Sequence, residues 1–214
     1  MQLGIIGAGR VGTAIARQAL AAGVDVRIAA SGDPAKIELI ASVLMPGVQS
    51  VTATDAALQS DLVIVAVPLN RMKTLPFDAF AGKIVIDAMN YWAPTDGTQS
   101  EFEDSPLSSS EIVARRMPDA RVVKTLNHIG YHELEEDGRP SGDPARRALA
   151  IAGDDAAAKE IVARFIDRIG YDAVDVGPLA HGRLMEPGSA IFAGALDSAG
   201  IQSAVEEADL PVAA

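Results

Sequence analysis

Residues 4–20 read GIIGAGRVGTAIARQAL. A short apolar run ends at Ile6, glycines stand at positions 7, 9 and 12, and an alanine-rich amphipathic stretch follows. This is the G-x-G-x-x-G spacing in the context that gives it meaning, after a strand and at the opening of a helix. In that pattern Gly7 permits a tight turn, Gly9 lets the backbone approach a diphosphate, and Gly12 lets the helix pack on the strand. The helix N-terminus supplies N–H groups and the positive end of its dipole to the anion.

Outward from this turn the chain alternates strands and helices. Val11, Ile15, Ala19 and Ala22 recur at helical spacing, with Gly23 as the stop. Residues 24–30 form a second strand, and Asp33-Pro34 reads as an N-cap with proline at the first helical position, opening a helix to about Leu44. Residues 48–52 suit a short third strand. DLVIVAV (61–67), KIVIDAM (83–89) and RVVKTL (121–126) are β-branched runs of the kind buried on both faces of a parallel sheet. RALAIAG (147–153), a helix over 154–170 and YDAVDVG (171–177) continue the pattern. The fold class is therefore α/β: a Rossmann-type, doubly wound, mainly parallel sheet with a small C-terminal helical subregion. We divide the chain into a dinucleotide-binding domain over 1–177 and a subregion over 178–214 that covers the cleft.

Between the strands the segment from Ala93 is rich in Pro, Gly, Asp and Ser and reads as a long loop, ending where Ser108 and Glu111 offer a capping box. Residues 127–147 read as polar and turn-rich.

Composition narrows the function. The chain has 214 residues, 49% hydrophobic and 22% charged, which suits one well-buried domain with an appendage. A formal net charge of -11 argues against nucleic acid as a partner, because phosphate binding relies on clustered Lys and Arg. The absence of cysteine excludes disulfides, thiolate catalysis and thiolate-held metal. No long uncharged apolar run and no basic leader is present, so a soluble, cytoplasmic protein without a membrane partner is expected.

Cofactor choice turns on RIAASGDPAK (27–36). NAD sites usually place an acid at the end of the second strand, whereas here Ala29, Ala30 and Ser31 stand there. A missing acid removes repulsion from a 2′-phosphate; Ser31 can donate to it, and Lys36 and Arg10 are candidate charge partners, so NADP is favoured over NAD. Asp33 is read as a cap, with ribose binding as the alternative.

GIIGAGRVG, AVPL (66–69), VVKTLNHIG (122–130), AIAGDD (150–155) and DVGPLAHGRLME (175–186) together resemble the NADP oxidoreductases that use a deazaflavin coenzyme. More distantly, the chain resembles the reductase domains of six-transmembrane metalloreductases. The resemblance implies hydride exchange between NADPH and an 8-hydroxy-5-deazaflavin, with Gly7, Ala8, Gly9, Arg10, Val11 and Gly12 at the pyrophosphate, Ser31 at the 2′-phosphate, and Val67 and Pro68 beside the nicotinamide. It also suggests a homodimer. Two departures stand out: Gly32 replaces an arginine that family members commonly carry, and DAMNYW (87–92) is bulkier and more polar than the family pattern.

Hydride transfer needs donor and acceptor carbons about 3–3.5 Å apart and water excluded, and demands no catalytic acid. Strand ends are where ligands bind in such sheets, which makes Asn90, Asn127 and His128 candidates. Asn127 is a candidate to hold the carboxamide or an acceptor carbonyl; His128 is a candidate to polarise an acceptor or supply a proton. Asn90, Tyr91, Trp92, His128 and Arg183 form the candidate acceptor site. Local backbone bonding by the asparagines, and wall packing by Tyr91 and Trp92, are the competing structural readings. No metal site is expected: His128 and His132 lack the H-E-x-x-H pattern. The alternatives to deazaflavin reduction are reduction of another small acceptor (flavin, imine or ketone) and a non-catalytic NADP-sensing module.

Overall fold

The computed structural model describes residues 1–208, apart from the side chain of Ala193. The elements in chain order are β1 (Gln2–Ile6), α1 (Arg10–Ala21), β2 (Asp25–Ala29), α2 (Ala35–Leu44), β3 (Gln49–Ser50), α3 (Ala53–Leu58) and β4 (Leu62–Val65). After β5 (Ile84–Asp87) come three short helices, α4 (Ala93–Asp96), α5 (Ser100–Glu103) and α6 (Ser109–Ala114), then β6 (Arg121–Lys124) and α7 (Tyr131–Glu136). The chain continues through β7 (Ala148–Gly153), α8 (Ala156–Arg168) and β8 (Asp172–Asp175) to α9 (Ala190–Ala193) and α10 (Ser198–Glu207). Single 3-10 segments occupy Leu69–Thr74, Phe77–Phe80 and Leu179–Met185.

All eight strands form one sheet in the order β3-β2-β1-β4-β5-β6-β7-β8. Pairing is parallel throughout except between β6 and β7, so β7 and β8 run against the rest. The order reverses between β1 and β4. In a doubly wound sheet the crevice outside the carboxyl ends of those two strands is where a ligand lies.

The β-branched runs behave as their composition dictates. Every residue of β4 and β5 is buried, with Leu62, Ile64 and Ile86 facing the core under α1 and α8, and Val63, Val65 and Val85 facing the core under α3 and α6. On α8, Val162, Phe165 and Ile166 are buried and Ile161 is half-buried, as helical spacing requires. Gly23 and Gly170, which end α1 and α8, have φ of +71° and +101°, values that side-chain-bearing residues rarely adopt.

Two segments read as loops are partly helical. The 93–107 connection winds into α4 and α5, because Asp96 ties it together: its carboxylate accepts from Trp92 N (2.8 Å) and, across the strand ends, from Asn70 N (3.0 Å). The Ser108–Glu111 capping box is present in full. Within 127–147, α7 forms because Leu134 buries against the core beside α1, and the Tyr171 hydroxyl donates to the carbonyls of Glu133 and Leu134 (2.9 and 3.0 Å). Its acidic face is largely exposed, although Glu135 pairs with Arg17 at 3.0 Å.

The residues after 178 form a third apolar cluster with β7 and β8, in which Leu184, Met185, Ile191 and Ile201 pack on Ala148, Ala150, Val174 and Val176. The 3-10 turn at Leu179–Met185 also reaches α6 and the end of β6. Residues 209–214 of the proposed subregion lie outside the described residues. No helix among those described is long and apolar enough to cross a membrane.

Candidate active site at the carboxyl edge of the sheet

The glycine turn is built by three strand ends. Gly7 N donates to Ala29 O of β2 (2.8 Å), and Ala66 N beyond β4 donates to Ile6 O (2.9 Å). A side chain at Gly7, whose φ is +122°, would strike the Ala66 carbonyl. A Cβ at Gly12 would fall on the carbonyl oxygen of Gly7, with Ile5 Cγ2 at 3.3 Å behind it. Gly9 is the opposite case: a Cβ there would meet nothing within 4 Å. Two glycines are thus required by packing, and the third keeps space clear in front of the turn.

That space is suited to an anion. Gly9 caps α1 without any side-chain hydrogen bond, and the first turn of α1 carries no acidic residue. The leading amides of the helix are therefore left for an external acceptor. Ala8, Gly9, Arg10 and Thr13 line an open cleft of about 350 Å³ whose other wall is Tyr131 and His132 of α7. The Arg10 guanidinium lies over the Tyr131 ring at 5.6 Å, and Tyr131 packs on the His132 ring at 4.2 Å. Val11 is half-buried behind the turn. Tyr131 and His132 carry no motif in the sequence; only the docking of α7 beside α1 brings them here.

On the β2 side, Ser31, Gly32 and Lys36 are exposed, and Gly32 takes φ of +89°. The Asp33 carboxylate accepts from Ala35 N at 3.0 Å, the capping role read from the sequence. On the β4 side, Val67 is half-buried and Pro68 exposed, at the point where the chain leaves the sheet for the turn over Leu69–Thr74.

Beyond β5 and β6, the polar residues expected at the ligand bond chiefly to one another. Asn90 Nδ2 donates to Asn127 O (2.7 Å), while Asn127 Nδ2 donates to Asn90 Oδ1 (2.8 Å) and Met185 O (2.7 Å). Both donors of Asn127 are thereby used, so it has none left for an acceptor carbonyl, and only its Oδ1, which also faces His128, could accept from a carboxamide. Half-buried Asn90 keeps one amide hydrogen free. Leu126 precedes this pair with φ of +65°, a strained left-handed conformation that turns the chain out of β6.

His128 is likewise not the proton donor that its sequence position suggested. It is 5% exposed, its Nε2 accepts from Ala150 N (3.1 Å), and its Nδ1 faces Asn127 Oδ1 (3.3 Å). Burial, followed by the charges of Lys124 and Arg147, pushes its pKa down to about 3. A neutral ring with the proton on Nδ1 satisfies both contacts.

The aromatic pair separates. Tyr91 stacks on Phe102 (5.4 Å, 19°), and its hydroxyl donates to Glu103 Oε1 (2.6 Å) and accepts from Gln99 N (3.1 Å), so it belongs to the wall of the 93–107 connection. Trp92 is 53% exposed. Arg183 donates to the Pro106 carbonyl, and Glu186 Oε1 accepts from Ser109 N (2.7 Å); both fasten the C-terminal turn to the start of α6. No cluster of metal-ligating side chains occurs among the described residues.

Sequence reasoning missed a buried ionic pair below this edge. Lys124, the last residue of β6, is 0% exposed and Asp87, the last of β5, is 1% exposed; Nζ and Oδ2 are 3.3 Å apart. In the sequence each is a charge inside a β-branched run, and that interruption was the available signal.

The model of the family described as NADP oxidoreductase, coenzyme F420-dependent, matches residues 2–91. The F420-dependent NADP reductase of Methanothermobacter thermautotrophicus is 30% identical over 205 residues, covering 87% of this chain and 85% of that protein. Rat metalloreductase STEAP3 is 28% identical over 188 residues, which are 86% of this chain but only 36% of that protein. Among solved structures, a hypothetical protein of Sinorhizobium meliloti superposes with a TM-score of 0.77 at 32% identity, covering 92% of this chain and 95% of that one. With its glycine turn, sheet order and uncapped first helix, the chain belongs to the coenzyme F420-dependent family of NADP oxidoreductases, and so to the NADP-dependent reductases.

Proposed function

We propose that the protein transfers a hydride between NADP(H) and a deazaflavin coenzyme at the carboxyl edge of the sheet. The observation that carries this reading is the turn at Gly7–Gly12: two positions closed to side chains by packing, one open to the cleft, and helix amides without a partner of their own. These residues fit a diphosphate.

The remaining groups follow from direction. Ser31, just past the end of β2, and Lys36, in the first turn of α2, are the groups that would meet a 2′-phosphate. Arg10 adds an exposed cation at the mouth of the turn, over the Tyr131 ring. The nicotinamide half then extends the other way, past Val67 and Pro68 towards Asn90. The nicotinamide and the deazaflavin supply the redox chemistry; the chain's part is to bind, to hold the rings face to face, and to exclude water. With His128 neutral and buried, the residues described provide positioning rather than an acid.

The test is to mix the protein with NADPH and, separately, an 8-hydroxy-5-deazaflavin, riboflavin, a cyclic imine and a ketone, following nicotinamide absorbance. Oxidation with the deazaflavin is expected to exceed that with every other acceptor. Equal or faster oxidation with another would reassign the acceptor, and NADPH binding without any oxidation would make the protein a sensor.

A further inference from the structure

The Lys124–Asp87 pair has more bonds than burial of charge alone requires. Asp87 Oδ1 accepts from Met89 N (2.9 Å), and Oδ2 accepts from Ser110 Oγ (2.6 Å) as well as Lys124 Nζ. The Lys124 ammonium also donates to the Met89 carbonyl. Both backbone groups of one residue, Met89, are therefore held by the two members of the pair. The next residue is Asn90, which is locked by two bonds to Asn127. Removing two charges from water is costly, and a pair of apolar side chains of similar volume would stabilise a sheet at least as well. What apolar residues could not do is fix the N–H and C=O of the corner that leads out of β5.

We propose that Lys124 and Asp87 are positioning residues for the nicotinamide half of the dinucleotide site, acting through the Met89–Asn90 corner. The proposal rests on the reading of the carboxyl edge as an NADP(H) site. The adenosine end of a dinucleotide lies over β2 and its diphosphate over the β1–α1 turn, so the nicotinamide must pass over β4 and β5, where this corner forms the floor. The free amide hydrogen of Asn90 is then aimed by the pair below it and by Asn127 beside it. Asn127 is anchored in turn by Met185 O and by His128, which Ala150 holds.

The test compares two ligands that share the adenosine end and differ in the nicotinamide. In Lys124→Met/Asp87→Asn, no lone buried charge remains. Calorimetry on this variant should show NADPH binding weakened roughly tenfold, while 2′,5′-ADP binds within about twofold of wild type. Unchanged binding of both ligands, or an equal loss of both, would overturn the proposal. Should the double variant fail to fold, Ser110→Ala removes a single bond to Asp87 and must show the same selective loss on a smaller scale; an unselective effect there would equally sink it. A wild-type protein that binds NADPH but reduces no deazaflavin would overturn the acceptor reading alone, since the two-ligand comparison needs no turnover.

Discussion

Single atoms separate the roles of the three glycines. A Cβ at Gly12 would collide with the Gly7 carbonyl, whereas one at Gly9 would enter open space. Gly12→Ala should therefore destabilise the fold by about 1–3 kcal/mol through overpacking, and lose dinucleotide binding with it. Gly9→Ala should leave the melting temperature unchanged and still weaken NADPH binding about tenfold or more, because the methyl occupies the ligand's place; a thermal melt and a calorimetric titration on each variant decide. His128 makes a second prediction. Its folded pKa, about 3, lies below the ordinary value of 6.5, so between those values the unfolded chain binds a proton that the folded one does not. Stability is fully present above pH 6.5 and falls as pH drops towards 3, by up to about 1.4 kcal/mol per pH unit. Urea unfolding from pH 7 to pH 4.5 should show a shallower decline in His128→Gln; identical slopes would refute the buried neutral ring. Nothing in NHIG announced this: His128 was legible as a strand-end histidine, but its burial depends on β7 turning back antiparallel beside β6 and supplying Ala150 N.

Among the elements, those with strong periodicity were readable in advance and those held by long-range contacts were not. β4, β5 and α8 match their runs closely because a sheet buried on both faces demands such composition. The helices α4, α5 and α7 lie in polar segments, and their stability comes from Asp96 bridging to Asn70 and from Tyr171 bridging to α7. α6 stands between these cases. Its capping box was visible as S-x-x-E, but Ser108 Oγ also donates to Leu179 O (3.3 Å), which joins α6 to the C-terminal turn. Ser108→Ala should cost about 1–2 kcal/mol in urea unfolding. Ser108→Asn, which can cap but not reproduce the hydroxyl's geometry, should recover part of it; a loss below about 0.3 kcal/mol would mean the cap is idle.

For the molecule as a whole, a net charge of -11 must admit an anionic ligand at one edge. In the proposed site the amides of α1 and the side chains of Arg10 and Lys36 are the local positive groups that would meet it, with Glu135, paired to Arg17, on the far wall of the cleft. Ligand binding should accordingly stabilise the entire domain, since β1, β2 and β4 all meet at Gly7. NADPH at about one hundred times its Kd adds roughly 2.7 kcal/mol, which in a chain of this length raises the melting temperature by about 5–10 °C. The same concentration of NADH should raise it less; an equal or larger shift would count against Ser31 and Lys36 as a 2′-phosphate site. The sequence by itself determined the α/β class, the glycine turn, the nicotinamide-binding frame and the cap at Asp33, because each depends on residues within about thirty positions of one another. Only the tertiary structure decided that Asn127 bridges Asn90 and Met185, that His128 is buried against Ala150 of β7, and that Lys124 meets Asp87. Those outcomes depend on which strands become neighbours, and neighbour identity in a sheet is set by the packing of the whole chain rather than by any local pattern.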